Sequence, residues 1–354
     1  EERSLPYTKG YQITQSPTAS VPQFLKGMRM MPTPPNASWL IVPVNTLEHF
    51  AYKHLHRERQ KENYDAPLVL LRESPSTLPG RPMAMIATKN VAYSESYTGI
   101  SCKRAKQPLL TALYLQAIFN SRFFLYFVLM TSSKFGCERS AFQKSDINSF
   151  PIPPIESFLQ GESTNSEKMS RRVHARYAQL RTLLNELGAA ALANKPTVSE
   201  IGEALVAKLY ALSPADVQLV EDRLSVGLPF SQVVTAAAKA TSDHDATNYG
   251  KTLSQLLTPF AAGPIDVELY PQTGSAPWRF LRVGTKGIDE PHSAHKVLAA
   301  IASADQLDCS LVEIPGTTSI LIGLLNQRRY WTKTAARTLA LDLIKRNHPI
   351  LRSH

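Results

Sequence analysis

The chain has 354 residues, of which 43% are hydrophobic and 19% are charged, and its formal net charge is +10. This composition excludes a disordered tail, and the length favours two or three compact domains. The three cysteines, Cys102, Cys137 and Cys309, are too widely spaced for a disulfide framework or a zinc site, so we expect a reducing, cytoplasmic location.

The positive charge is concentrated in the first part of the chain. Residues 1–150 hold 18 Lys or Arg and 10 Asp or Glu, residues 151–250 hold 9 and 11, and residues 251–354 hold 12 and 8. A basic segment of this kind is typical of proteins that bind a polyanion such as nucleic acid. The alternative interpretation is a protein whose positive charge serves only to keep it soluble.

The first 150 residues predict a mixed domain of strands and helices. An apolar run over residues 39–44 predicts a strand, and Asn45 is placed to cap a helix that carries residues 47–55. Further strands are predicted at residues 68–71, at 83–87 and around 91–97. The apolar stretch 109–130 is interrupted at Asn120, Ser121 and Arg122, which favours a buried helix, or two helices meeting at Asn120-Ser121, over a membrane span.

The proline-rich segment 150–154 ends this domain, because helix is disfavoured there. A long amphipathic helix is predicted over residues 165–188, with Leu180, Leu184 and Leu187 on its apolar stripe. A capping box at residues 197–200 predicts a helix to about 212, and Ser213-Pro214 predicts the start of a third.

The last part of the chain returns to a mixed pattern. Strands are predicted at residues 265–270, 278–283 and 310–314, and helices at 293–304 and 324–346. The sequence therefore predicts an α+β protein, mixed α/β in its first domain. Its expected parts are a mixed-sheet domain (1–155), a helical spacer (156–230) and a small α+β domain (231–354).

Residues suited to catalysis or metal binding are few. Asp266 and Glu268 lie on a predicted strand, but no Lys follows at the place where a nuclease needs one, so we interpret them as edge-strand carboxylates facing water. A nuclease remains an alternative. His49, His54 and His56, on or directly after the helix predicted for residues 47–55, have no metal-ligand spacing and are expected to be solvated.

Basic residues interleaved with amides are more informative, because Lys and Arg contact phosphates while Arg, Asn and Gln read base edges. Three such clusters occur. The first is Lys103, Arg104, Lys106 and Gln107; the second is Lys134, Arg139, Gln143 and Lys144; the third is Arg329, Lys333 and Arg337, expected on one face of the terminal helix. Arg139 and Gln143 are the candidates for base contacts. Solvated basic loops are the alternative.

The segment 115–154 joins an apolar helix, Ile118-Phe119-Asn120-Ser121, an aromatic helix, Gly136-Cys137-Glu138-Arg139, Lys144-Ser145-Asp146-Ile147 and Phe150-Pro151-Ile152-Pro153. In this order it resembles the closing half of target-recognition domains of N6-adenine DNA methyltransferases from type I and type IIG restriction-modification systems. The strings Phe24-Leu25-Lys26-Gly27 and Pro67-Leu68-Val69-Leu70 are similar to the opening strands of such domains. Leu209-Tyr210-Ala211-Leu212-Ser213 resembles a helical segment that follows them, with Ala211 where Gly is usual.

The resemblance implies that residues 1–155 recognise double-stranded DNA for a bacterial adenine methyltransferase. The chain has no Gly-x-Gly turn and no Asn/Asp-Pro-Pro-aromatic loop, so we expect no cofactor here and S-adenosylmethionine in a catalytic domain N-terminal to this region. Other restriction or defence subunits are further expected partners. The alternative is a protein-interaction subunit of a phage-defence complex that docks through the helix at 165–188.

Overall fold

The computed structural model describes residues 7–13, 19–32, 39–74, 83–135, 141–155, 171–193, 195–227, 237–271, 276–285, 293–316 and 318–352. The chain forms two compact units, residues 1–217 and 218–354. Both units combine helices with small sheets, so the predicted α+β class is confirmed.

A four-stranded antiparallel sheet forms the centre of the first unit. The described strands are β1 (Tyr7–Lys9), β2 (Ala19–Ser20), β3 (Arg29–Met30), β4 (His54–Leu55), β5 (Leu68–Arg72), β6 (Ala84–Ala87), β7 (Val91–Ala92) and β8 (Tyr97–Ser101). The sheet order is β1-β8-β5-β6, and β1 lies at one edge. Every residue of β5 is buried, as the continuous apolar run predicts for a strand covered on both faces.

Helices cover this sheet and extend beyond it. Those described are α1 (Gln23–Lys26), α2 (Pro108–Asn120), α3 (Arg122–Thr131), α4 (Lys144–Ser149), α5 (Arg171–Leu192) and α6 (Val198–Leu209), followed by α7 (Pro214–Gly227), which spans the boundary between the units. Helix α2 packs on β5 and β6 and buries a continuous run from Ala112 to Phe119.

Helices α2 and α3 meet where the sequence predicts a break. Ser121 has an extended backbone between them and caps α3, since its side chain accepts a hydrogen bond from the Phe124 amide at 3.1 Å. The helix axes differ in direction by 56°. Among the described residues, no single helix is long and apolar enough to cross a membrane, and only this bent pair meets the length and composition test jointly.

The predicted helical spacer packs on the first domain. The apolar stripe of α5 is buried, including Leu180, Leu184 and Leu187, and α5 and α6 both contact α2. Gly202 of α6 faces Ala117 of α2, at a distance that leaves room for little more than a Cβ atom. The contacts thus place these helices in the same unit as the sheet, whereas the sequence predicts three segments.

Several local predictions are wrong. Residues 39–44 form an isolated bridge from Ile41 to Ile86 and no regular strand, and the terminal helix predicted to start at residue 324 starts at Lys333. Residues 47–55 form no helix: a 3-10 turn at Val44–Thr46 leads into extended chain, whose backbone bonds with a neighbouring segment. Phe50 N donates to Met28 O at 3.0 Å and Met30 N donates to Glu48 O at 2.9 Å, so these groups are unavailable for helical pairing. The predicted capping box at 197–200 does not form, because Thr197 makes no side-chain cap bond.

The second unit is a four-stranded antiparallel sheet with helices on both faces. Its strands are β9 (Ile265–Leu269), β10 (Trp278–Thr285), β11 (Leu311–Pro315) and β12 (Ser319–Leu325), in the order β11-β12-β10-β9. Helices α8 (Asp243–Leu257) and α10 (Lys333–Lys345) share a core with one face. Helix α9 (Ala294–Gln306) packs on the other through Ala304, Trp278 and Val312.

Candidate nucleic-acid interface

The first basic cluster forms the loop between β8 and α2. Arg104, Lys106 and Gln107 are exposed on this loop. Lys103 is held in place, because its ammonium group lies 2.8 Å from the carboxylate of Asp65. All four predicted residues are therefore exposed, and Lys103 is in addition partly neutralised by an acidic neighbour.

This loop leads directly into the N-terminus of α2. Gln107 is the N-cap residue, yet its side chain makes no cap bond, and Pro108 occupies the first turn. The first turn contains no acidic residue. Backbone amides at a helix N-terminus lack intrahelical partners and attract anions. Arg104 and Lys106 thus precede, by a few residues in the chain, amide groups that suit a phosphate.

The second cluster follows α3 and is organised by a buried carboxylate. Asp146 of α4 accepts hydrogen bonds from the Gln143 amide at 2.8 Å and from the Ser132 hydroxyl at 3.1 Å. The Ser132 oxygen in turn accepts from the Phe135 amide at 3.0 Å. Asp146 therefore joins the loop that carries Lys134 to the start of α4. Arg139 lies outside the described residues.

Lys144 does not share the surroundings of Lys134. Its ammonium group lies 5.2 Å from the ring centre of Tyr7 on the edge strand β1, and the Tyr7 hydroxyl donates to its carbonyl oxygen at 3.1 Å. Burial raises the pKa of Tyr7, so the hydroxyl stays protonated as this donor. Lys144 is thus positioned over β1.

The two loops lie at opposite ends of the α2–α3 pair. With 13 and 10 residues and a bend of 56°, the pair is about 30 Å from end to end at the ordinary helical rise. One turn of B-form DNA measures about 34 Å. The spacing between Lys106 and Lys134 is therefore of the order that separates successive grooves on one face of a duplex.

The third cluster differs from its prediction. Arg329 belongs to a 3-10 turn, Arg328–Tyr330, and α10 begins only at Lys333, so the three residues do not form one helical face. Buried Trp331 interrupts the helix by donating its indole N–H to Leu325 O at 3.0 Å. The Arg329 guanidinium lies 5.0 Å from the ring centre of Tyr330. Lys333 and Arg337 are exposed on α10.

The residues considered for other chemistry have simpler roles. Asp266 and Glu268 lie on the edge strand β9, face solvent as expected, and Glu268 accepts a bond from Arg282 at 3.1 Å. His49, His54 and His56 are exposed, although on extended chain. Within the described ranges, no group of three His, Cys, Asp or Glu side chains is arranged to hold a metal ion.

A further site escaped the sequence analysis. An open pocket of about 750 Å³ lies along β1 and is lined by Tyr7, Thr8, Lys9, Phe24, Glu58, Arg59, Gln60, Asn63, Thr98 and Lys144. These residues come from five separated stretches of the chain. The basic run at residues 57–61 was the available signal, but it does not by itself indicate a pocket.

Comparisons with protein-family models, with curated proteins and with solved structures found no match for this chain.

Proposed function

We propose that the first unit recognises double-stranded DNA, in sequence-specific fashion, for a bacterial N6-adenine DNA methyltransferase of a restriction-modification system. The observation that carries the proposal is that exposed Arg104 and Lys106 lie on the loop that leads into α2, while exposed Lys134 follows the other end of the bent helix pair, about 30 Å away at the ordinary helical rise. Cationic side chains at this spacing suit phosphates about one helical turn apart on one face of the duplex.

The residues divide into two roles under this proposal. Arg104, Lys106 and Lys134 contact phosphates and fix the position of the duplex. Gln107 and Gln143 are the amides adjacent to these cations, and with Arg139 they read base edges. Methyl transfer belongs to a catalytic domain that binds S-adenosylmethionine N-terminal to this region, and the complex works in the cytoplasm.

The rival function, docking of a partner through the amphipathic helix, has less support. The apolar stripe of α5 packs within its own unit at Leu180, Leu184 and Leu187 and offers little apolar surface there for a partner.

A salt titration of DNA binding tests the proposal. Fluorescence anisotropy with the full chain and a random-sequence duplex is measured for the wild type and for the double variant Arg104→Ala/Lys106→Ala. Each lost phosphate contact reduces the salt slope of log K by about 0.9, so we expect a slope lower by roughly 2 and weaker binding to every sequence.

The matched control removes two exposed lysines elsewhere on the same unit, Lys53→Ala/Lys195→Ala, and changes net charge equally. The control is expected to retain the wild-type slope within about 0.5. Selection from a random duplex library then compares wild type with Gln143→Ala and Arg139→Ala, each expected to lose preference at one base pair. Equal slopes for the two double variants would rule out this interface.

A further inference from the structure

The pocket along β1 is lined by cationic, aromatic and amide side chains, which together suit one class of ligand. It opens between the edge strand, with Tyr7, Thr8 and Lys9, and the segment 58–63, while Lys144 of α4 closes one side. Its volume of about 750 Å³ lies in the range of small-molecule sites. The pocket is therefore large enough for a ligand well beyond a simple anion.

Positive charge dominates the lining. Lys9, Arg59 and Lys144 face a single lining carboxylate, Glu58. Lys9 is partly neutralised, since its ammonium group lies 3.3 Å from Glu73. Arg59 donates through Nε to Gly10 O at 3.2 Å, and none of the described residues accepts a bond from its remaining four N–H groups.

The position of Lys144 is also fixed. Its ammonium group lies over the Tyr7 ring, and its backbone carbonyl accepts the Tyr7 hydroxyl. Arg59 and Lys144 are thus two anchored cations at one pocket. Anchored cations lose little conformational freedom on binding an anion and suit a phosphate group.

The remaining lining suits a planar, polar ring. Phe24 is half-buried and packs against Tyr64, with 5.9 Å between ring centres, so its ring is held in a defined orientation. Gln60 and Asn63 supply side-chain amides, and within the described ranges neither amide has a hydrogen-bond partner. An amide offers a donor and an acceptor side by side, as the edge of a nucleobase does.

We propose that this pocket binds a single unstacked nucleotide. The phosphate lies between Arg59 and Lys144, the base packs against Phe24, and the base edge bonds with the amides of Gln60 and Asn63. Proteins hold unstacked bases in this manner, by aromatic packing and hydrogen bonds to the exposed edge. The nucleotide can come from bound DNA or from solution. If it belongs to bound DNA, the inference rests on the proposed function.

Calorimetry with 5′-dAMP, deoxyadenosine and inorganic phosphate tests the site on the full chain. We expect dAMP to bind at least about tenfold more tightly than either part alone, because phosphate and base occupy separate groups of the pocket. Arg59→Gln and Asn63→Leu should each weaken dAMP binding by about tenfold, and Lys195→Gln should leave it unchanged. Equal affinities for dAMP and phosphate, or wild-type affinity in both pocket variants, would overturn the proposal.

A second comparison identifies the source of the nucleotide and keeps the two proposals separate. A duplex with one bulged nucleotide and the matching intact duplex are titrated against the wild type and Asn63→Leu. If the wild type prefers the bulged duplex and Asn63→Leu abolishes this preference, the pocket binds a nucleotide of DNA. If dAMP binds but the bulged duplex is not preferred, the pocket binds a free nucleotide. If neither is observed, the proposed site is overturned. Intact-duplex binding and its dependence on Arg104 and Lys106 report on the proposed function independently. Thermal melting confirms that each variant is folded.

Discussion

The side chain of Asn120 pairs with the backbone of Ala84 as a neighbouring strand would. The Ala84 amide donates to Asn120 Oδ1 at 2.8 Å, and Asn120 Nδ2 donates to the Ala84 carbonyl at 2.9 Å. Ala84 begins β6, an edge strand of the central sheet, and is fully buried. Among the described residues no further strand pairs with Ala84, and the Asn at the α2–α3 junction satisfies its backbone groups.

Replacement of Asn120 by Ala should destabilise the first unit. Both Ala84 groups would be buried without partners, at a cost of about 1–3 kcal/mol each, so we expect the free energy of unfolding to fall by roughly 2–4 kcal/mol. Hydrogen exchange of β5 and β6 peptides in rising urea, read by mass spectrometry, reports this unit separately from the second.

Asn120→Asp retains the acceptor for the Ala84 amide, but when ionised it places a negative charge beside the Ala84 carbonyl oxygen. It should therefore be less damaging than Asn120→Ala below about pH 4, where the protonated carboxyl can donate to that oxygen, and it should lose this advantage at neutral pH. Equal exchange rates in wild type and Asn120→Ala would show that the pairing contributes nothing to stability.

A second prediction concerns Ala211, which follows α6. Its φ of 53° is in the left-handed region, where a Cβ atom is strained and Gly is favoured. Leu212 N donates to Ala207 O at 2.9 Å and Ala211 N donates to Lys208 O at 3.3 Å, the bonds of a Schellman cap. Ala211→Gly should therefore raise the unfolding free energy by about 0.5–1 kcal/mol.

The same substitution within the helix provides the control for Ala211. Ala204 lies exposed in the middle of α6, where Gly costs about 1 kcal/mol relative to Ala. Urea-dependent hydrogen exchange of α6 peptides should thus show opposite signs for Ala211→Gly and Ala204→Gly. A loss of stability in both variants would contradict the strain assigned to Ala211.

The sequence predicted elements well where the local pattern determines the fold. The buried strand at β5, the helix break at Ser121 and the helix starting at Pro214 follow from apolar runs and capping residues. Ser213 does cap that last helix: its hydroxyl oxygen accepts a hydrogen bond from the Asp216 amide at 3.2 Å, and its own amide donates to the Asp216 carboxylate at 2.8 Å. Such signals act over a few residues, so they can be found without tertiary information.

Prediction from the sequence failed where pairing between residues far apart in the chain determines the structure. Apolar residues at 47, 50 and 55 have helical spacing, but the backbone there bonds with residues 28–30, far away in sequence. The pocket along β1 has the same cause, since its lining residues Arg59 and Lys144 lie far apart in sequence. The motifs that carry the family resemblance have structural roles here, as Asn120, Ser121 and Asp146 show.

The cysteines should differ strongly in reactivity. Cys102 is buried, and burial raises the pKa of its thiol to about 12, whereas Cys309 is exposed. Because the thiolate is the reactive form, we expect Cys309 to react with Ellman's reagent on the order of 100-fold faster or more than Cys102. The measurement uses a Cys137→Ser background, since Cys137 lies outside the described residues.

Removal of Cys309 identifies the two reaction phases. In Cys137→Ser/Cys309→Ser, the fast phase should vanish, and Cys102 should react only on addition of denaturant. A fast phase that persists in this variant would place Cys102 within reach of solvent and contradict its burial.

The last prediction concerns His348 in the second unit, where burial lowers the pKa of the imidazole. Nearby Glu313 raises this pKa and Arg346 lowers it, and neither reverses the effect of burial. His348 Nδ1 accepts a hydrogen bond from the Ile350 amide at 3.4 Å, a role that requires an unprotonated nitrogen. Both observations favour the neutral form in the folded state.

Because the folded pKa lies below the unfolded value, near 6.5, the unfolded chain binds more protons as pH falls through this range. His348 therefore contributes stability that is complete above about pH 6.5 and is lost as pH decreases through the folded pKa. His348→Asn keeps a capping oxygen and cannot titrate, so its melting temperature should fall less than that of the wild type between pH 7.5 and pH 5.5.

The control is His244→Asn, at an exposed position on α8, which is expected to follow the wild type. Parallel profiles for wild type and His348→Asn would exclude His348 as a source of the acid sensitivity.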